Sequence, residues 1–210
     1  MRLGEVGERY GERVRIHWRA FPLVPDHRPG RRTTERTQES RRRARLEEPR
    51  ALHVPPPIDS PLPASSIPAL TAVKCAERQG EQAFARLHAR LFLAHFRDNL
   101  DISRQDVLWR LAEESALDLS DFERDYRAGQ AYEAVLRDYA DGAAWFGVSA
   151  IPAVVFGEKV SLVGAVPVDR YAALIEWIAA GAPGGVVPLD SATPHSSFSI
   201  ATTSTHLPSS

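Results

Sequence analysis

The most reactive side chain in the sequence occurs once. Cys75 is the only cysteine among 210 residues, so the chain cannot open and close a disulfide of its own, which takes one attacking and one resolving sulfur. Its setting does not favour a thiolate either. It lies within an Ala-rich helical run, whereas a low thiol pKa needs a helix N-terminus or cations at the sulfur. Of its charged neighbours Lys74 and Arg78, only Arg78 can share its helix face. Cys75 therefore reads as a small buried hydrophobe. His88 and His95 recur on one side of a predicted helix and could approach one metal ion, but no third ligand follows at suitable spacing, and both read as histidines at the edge of a core. The sequence contains no Gly-x-Ser-x-Gly elbow, no phosphate-cradling Gly-rich loop ending in Lys, and no His-Glu-x-x-His helix. No cofactor and no metal are expected. Pro152 remains, directly before the β-rich run Ala153 to Phe156, where a mid-strand proline would break the ladder. An ordinary trans proline at the first residue of the strand is one reading. A cis bond occurs at only about 5 to 6% of X-Pro positions, and the junction Gly147-Val148 before Ile151-Pro152 raises the odds of one here.

The elements that must hold these residues follow from periodicity. Leu3, Val6 and Tyr10 fall at helical spacing, with Gly11 where a left-handed C-terminal cap is expected. Val14, Ile16 and Trp18 alternate with Arg13, Arg15, His17 and Arg19, which predicts a strand with one buried face from Arg13 to Ala20. From Arg28 to Arg50 the chain carries nine Arg and four Glu with almost no apolar side chain. That composition predicts a solvated connector, extended to about residue 62 by Pro55-Pro56-Pro57 and Pro61. It lacks the interleaved aromatics that base stacking would use.

A helix is expected from Ser65-Ser66-Ile67-Pro68 to Gly80. A second carries Phe84, Leu87, Leu91 and Ala94 on one stripe, with His88, Phe92 and His95 beside it. Ser103 with Asp106 and Ser120 with Glu123 read as capping boxes. A longer helix is predicted over about Gln130 to Phe146, with Tyr132, Leu136, Tyr139 and Ala143 on one face. Val160 to Val163 completes a hairpin with the run after Pro152, around Gly157-Glu158-Lys159. A last amphipathic helix over Val168 to Ala180 carries Tyr171, Leu174, Ile175 and Ile178. Beyond it, residues 181–210 are Gly-, Pro-, Ser- and Thr-rich and read as a disordered tail.

Composition bounds the function. With 43% hydrophobic residues the chain can bury a sizeable core, and 26 basic against 27 acidic residues nominate neither nucleic acid nor membrane as partner. Met1-Arg2-Leu3-Gly4-Glu5 opens no apolar leader, and no run of about 18 apolar residues could span a bilayer, so the chain reads as cytoplasmic.

Taken in order, Trp18-Arg19-Ala20-Phe21-Pro22-Leu23-Val24-Pro25, Pro63-Ala64-Ser65-Ser66 through Gln79-Gly80, Leu87-His88-Ala89-Arg90-Leu91-Phe92, Gly147 to Phe156 and Gly164-Ala165 resemble the DsbA-like thioredoxin-fold oxidoreductases, most closely their FrnE-type branch. The resemblance covers roughly residues 1–27 and 60–180. It implies an α/β thioredoxin-like fold over residues 1–180 with an inserted helical subdomain over about 65–146. It also implies thiol-disulfide exchange on polypeptides or glutathione, and a proline loop, Ile151 and Pro152 here, that offers backbone hydrogen bonds to the substrate. The family's first strand and Cys-x-x-Cys pair have no counterpart in the sequence and would precede Met1, so no catalytic residue is assigned. Two other readings stay open. Glutathione-dependent isomerases and kappa-type glutathione transferases share the architecture with Ser in place of the first Cys, and an inactive thioredoxin-like module would keep only the peptide groove.

Overall fold

The computed structural model describes residues 2–158 and 160–181. The tail expectation, apart from Gly181, lies outside them. The chain divides into two units: Arg19–Tyr139, and the segments flanking it up to Trp18 and from Ala140.

In the flanking unit, the stripe Leu3, Val6 and Tyr10 forms one face of α1 (Arg2–Tyr10) and is packed into a core. Gly11 follows at φ +53°, the left-handed conformation that glycine adopts without a Cβ penalty. The core is completed by the hairpin of β1 (Ala153–Phe156) and β2 (Val160–Val163) and by the apolar face of α8 (Val168–Ala179). Phe156 stacks on Tyr171 at 6.3 Å, and the Tyr10 hydroxyl donates to the Ala172 carbonyl. Gly157 and Glu158 both take positive φ in the turn, which reverses the chain between β1 and β2.

The segment Arg13 to Ala20 departs from its predicted strand. Val14 is extended, and Val14 and Ile16 are half-buried between exposed Arg15 and His17, so the alternation is present. No ladder forms, because the one sheet among the described residues is the β1-β2 pair. Period-two patterning selects a buried face; it cannot supply the neighbour that defines a strand. Trp18, expected inside, is 45% exposed.

The Arg19–Tyr139 unit is helical: α2 (Glu35–Glu47), α3 (Ile67–Arg78), α4 (Glu81–Phe96), α5 (Gln105–Glu114), α6 (Leu119–Arg127) and the first part of α7 (Gln130–Phe146). Small residues let α3 approach its neighbours: Ala69, Ala72, Cys75 and Ala76 face Leu87, Leu91, Leu108, Leu111 and Phe122 in one core. Trp109 closes it with edge contacts to Phe122 and Tyr126 at 5.1 and 5.0 Å.

The predicted solvated connector contains α2, a helix with no buried residue. Its stability comes from its ends and surface rather than from an apolar stripe. The Thr34 hydroxyl accepts from the Thr37 N–H while the Thr37 hydroxyl accepts from the Thr34 N–H, and Glu39 pairs with Arg42 and Arg43. Around it the chain folds back on itself: the Thr33 N–H donates to the Ser60 carbonyl, and the Leu62 N–H to the Arg31 carbonyl.

Two expected capping boxes are also replaced. The Ser103 hydroxyl bonds Asp101 and accepts the Ala64 N–H instead of capping α5, and α6 is capped by Asp118, which accepts from the Asp121 N–H. On α7 the inward residues are Ala131, Val135 and Asp138, whereas Tyr132 and Leu136 are exposed. A carboxylate with enough partners has displaced larger apolar groups from the inward face. None of the described helices is long and apolar enough to cross a membrane.

Candidate functional site

The expected site residues sit where a helix gives way to the hairpin. α7 ends at Phe146, Gly147 takes φ +61°, and the buried Val148 donates its N–H to the Gly142 carbonyl. The chain then runs outward: Ile151 is 46% exposed, Pro152 is exposed, and the bond joining them is cis.

Register decides which backbone groups of this segment are committed. Ala153 opposes Val163, Val154 opposes Leu162, Val155 opposes Ser161 and Phe156 opposes Val160. The Gly164 N–H donates to the Pro152 carbonyl at 2.7 Å. Antiparallel pairs alternate between exchanging hydrogen bonds and not exchanging them. Pro152, Val154 and Phe156 therefore spend their backbone groups on β2, while Ala153 and Val155 turn theirs to the opposite edge. No strand covers that edge among the described residues, and no described backbone group bonds Ile151. The arrangement can hold an extended chain by main-chain pairing, with the Ile151 side chain as an apolar contact.

The other sequence candidates, Cys75, His88 and His95, lie in the helical unit. Cys75 is fully buried, and burial first, with the Asp125 charge adding, pushes its thiol up to about 12. Arg78 pulls the other way without offsetting this, so at neutral pH the sulfur is a protonated thiol. His88 stacks on Phe84 at 5.2 Å, and His95 meets Phe96 edge-on at 4.7 Å. Among the described residues no group of three His, Cys, Asp or Glu side chains is placed to hold a metal ion. A cavity of about 580 Å³ is lined by Arg78, Gln79, Asp118, Asp121, Arg124 and Asp125. Its charges are already paired, Arg78 with Asp125 and Arg124 with Asp121.

Sequence reasoning missed Asp138. Its carboxylate is buried on α7, accepts from the Ala20 N–H at 2.9 Å, and pairs with Arg19 at 2.8 Å and Lys74 at 2.9 Å. Burial alone would raise its pKa; the Ala20 N–H, Lys74 and Arg19 outweigh that, and the carboxyl is held below its ordinary value. It fastens the stretch entering Phe21-Pro22 to α3 and α7. The available signal was a carboxylate in step with Ala131 and Val135 on the helix.

Among solved structures, the chain is similar to a crystal structure of a candidate protein disulfide isomerase from Nitrosomonas europaea. The match has a TM-score of 0.57 and 16% identity, and covers 85% of this chain and 89% of that one. At that identity the likeness speaks to fold alone. The family model for the DSBA-like thioredoxin domain matches residues 1–176. With a small sheet, a helical block and a proline loop opening the hairpin, the chain belongs to the DSBA-like thioredoxin domain family.

Proposed function

We propose that this chain is a thiol-disulfide oxidoreductase relative that engages extended polypeptide at Ile151-Pro152, with its redox thiols supplied from outside the 210 residues. The observation that carries the reading is the edge of β1 that no strand covers among the described residues, where Ala153 and Val155 direct their backbone groups away from β2 beside the exposed Ile151. Disulfide exchange proceeds by attack of one thiolate on a substrate sulfur to form a mixed disulfide, which a second thiol resolves. Cys75 is a buried thiol with its pKa pushed up to about 12 and fills neither role. The proposal includes a FrnE-type origin, with a strand and dithiol encoded ahead of Met1. An in-frame stop codon immediately upstream, with no strand-like codons, would remove that part.

The burial of Cys75 also favours a second reading, a peptide-binding module without turnover. A relative of glutathione-dependent isomerases or kappa-type transferases would instead bind glutathione. One set of measurements separates these. The 210-residue chain should show no insulin reduction with dithiothreitol above the uncatalysed rate. It should bind reduced insulin B chain in calorimetry, and Ile151→Asp should weaken that binding about tenfold, as expected when an apolar contact is replaced by a desolvated charge. Turnover by the chain alone, or equal binding by the variant, would overturn the proposal. Binding of glutathione without peptide would select the transferase-type reading.

A further inference from the structure

Arg41 carries α2 onto the end of α4, where it meets an aromatic face and an imidazole. Its guanidinium lies over the ring of Phe96, with Cζ 4.2 Å from the centroid, and Nη2 is 2.9 Å from His95 Nε2. Arginine can only donate, so His95 Nε2 accepts and the imidazole is neutral, with its proton on Nδ1. His53 packs edge-on against the same ring at 4.8 Å. Arg41 Nη1 and His53 Nδ1 are both closed off from solvent and have no hydrogen-bond partner, so a charge added beside them is poorly screened.

The contrast with the other half-buried cations is chemical. Lys74 is flanked by Asp138 and Glu77, and Arg90 by Asp98 and Glu114. Among the described residues no carboxylate lies within ion-pair distance of Arg41. The groups facing His95 are unevenly matched. Burial first, and then Arg41 from α2, oppose a proton on it. Asp101, between α4 and α5, acts the other way, but its Oδ1 already accepts from the Ser103 N–H and hydroxyl. Arg31, ahead of α2, and His53, ahead of α3, add to the opposition, and the balance brings His95 to about 4 against an ordinary 6.5.

We propose that the Arg41–His95 contact is an acid-sensitive latch, which holds α2 against α4 while His95 is neutral and releases it when His95 takes up a proton. The proton goes to Nε2, the atom that accepts from Arg41. The imidazolium then presents an N–H to an N–H and a positive charge to a positive charge, so the hydrogen bond is lost. Release is local, because α2 has no fully buried residue, and the bonds from the Val54 N–H to the Phe96 carbonyl and from the Thr33 N–H to the Ser60 carbonyl do not involve His95. The closed form binds the proton less tightly than the open one. The stability that the latch contributes is therefore complete above 6.5 and fades as pH falls toward 4. From pH 7.5 to 5 the opening equilibrium shifts roughly thirtyfold toward the open form. Carboxylates titrate lower, near 4, which separates this response from that of Asp138. The latch is independent of the peptide reading.

The test is amide hydrogen exchange of the full chain read by NMR and expressed as protection factors, which remove the pH dependence of the intrinsic rate. Protection across Glu35–Glu47 should fall roughly thirtyfold from pH 7.5 to 5, while the α3 and α5 amides keep theirs. His95→Gln supplies an uncharged acceptor that does not titrate and should abolish most of the fall. Arg41→Met keeps an apolar contact on Phe96 without the charge, so it should lower α2 protection at pH 7.5 and shrink its pH dependence. The His95 Cε1–H titration gives a second readout that needs no glutamine variant: its midpoint should lie well below 6.5 in the unaltered chain and higher in Arg41→Met. Equal α2 protection at the two pH values, an equal fall in α3 and α5, a fall of the same size in His95→Gln, or a His95 midpoint at 6.5 in the unaltered chain would overturn the latch.

Discussion

At the scale of single residues, the buried charges follow one rule and Arg41 breaks it. Asp138 is tolerated inside because three donors converge on it: the Ala20 N–H, Arg19 and Lys74. Removing its carboxylate leaves Lys74 with Glu77 alone and strands the Ala20 N–H. Asp138→Ala should cost about 3 kcal/mol in denaturant unfolding, the lower end for breaking a buried pair when Arg19 is largely solvent-exposed. Asp138→Asn keeps an acceptor for the Ala20 N–H and should cost less. Because the folded pKa is depressed, this stability is present above the unfolded carboxylate pKa and fades as pH falls through the folded one. The acid-side slope of stability against pH should flatten in both variants; an unchanged slope would mean Asp138 is not the linked group.

At the scale of elements, α2 and the hairpin show two ways of holding a short segment. The hairpin and α8 are held by burial, through Phe156, Val160, Leu162 and Leu174. α2 has no fully buried residue, only half-buried Thr37, Gln38, Arg41 and Ala44, so its reciprocal threonine cap and surface ion pairs carry a larger share of its stability. Thr34→Ala should cost about 1 kcal/mol of local stability, read as faster amide exchange across Glu35–Glu47 with little change in the α3 and α4 amides. Uniform acceleration across all helices would show that α2 unfolds only with the whole unit.

At the scale of the whole molecule, the described residues form two hydrophobic cores with no residue in common. Cooperative all-or-none unfolding relies on one shared core, so calorimetry should give a total enthalpy larger than the van't Hoff value. Leu174→Ala, expected to cost about 3 kcal/mol, should lower the transition of the hairpin unit and leave that of the helical unit in place. A single transition with matching enthalpies, moved as a whole by this variant, would count against it.

The amino-acid sequence determined whatever depends on neighbours a few residues away. The 3.6-residue stripes of α1, α4 and α8, the ending of α1 at Gly11, the hairpin around Gly157-Glu158, and the limits of α7 were all legible, because periodicity and turn chemistry are local. So was the burial of Cys75, which its place on the Ala-rich stripe of a helix already implied. Tertiary structure alone decided the rest. Arg13 to Ala20 has the alternation of a strand but no ladder, because pairing belongs to two segments at once. α2 exists although its composition reads as solvated, because Gln38 reaches the Pro56 carbonyl and Arg41 reaches Phe96 across the fold. Asp138 turned inward, against a pattern that favoured Tyr132 and Leu136, because its donors come from distant parts of the chain. The same reason hid the Arg41, His53 and His95 cluster: a charge left without its counterpart is visible only once the chain has folded around it.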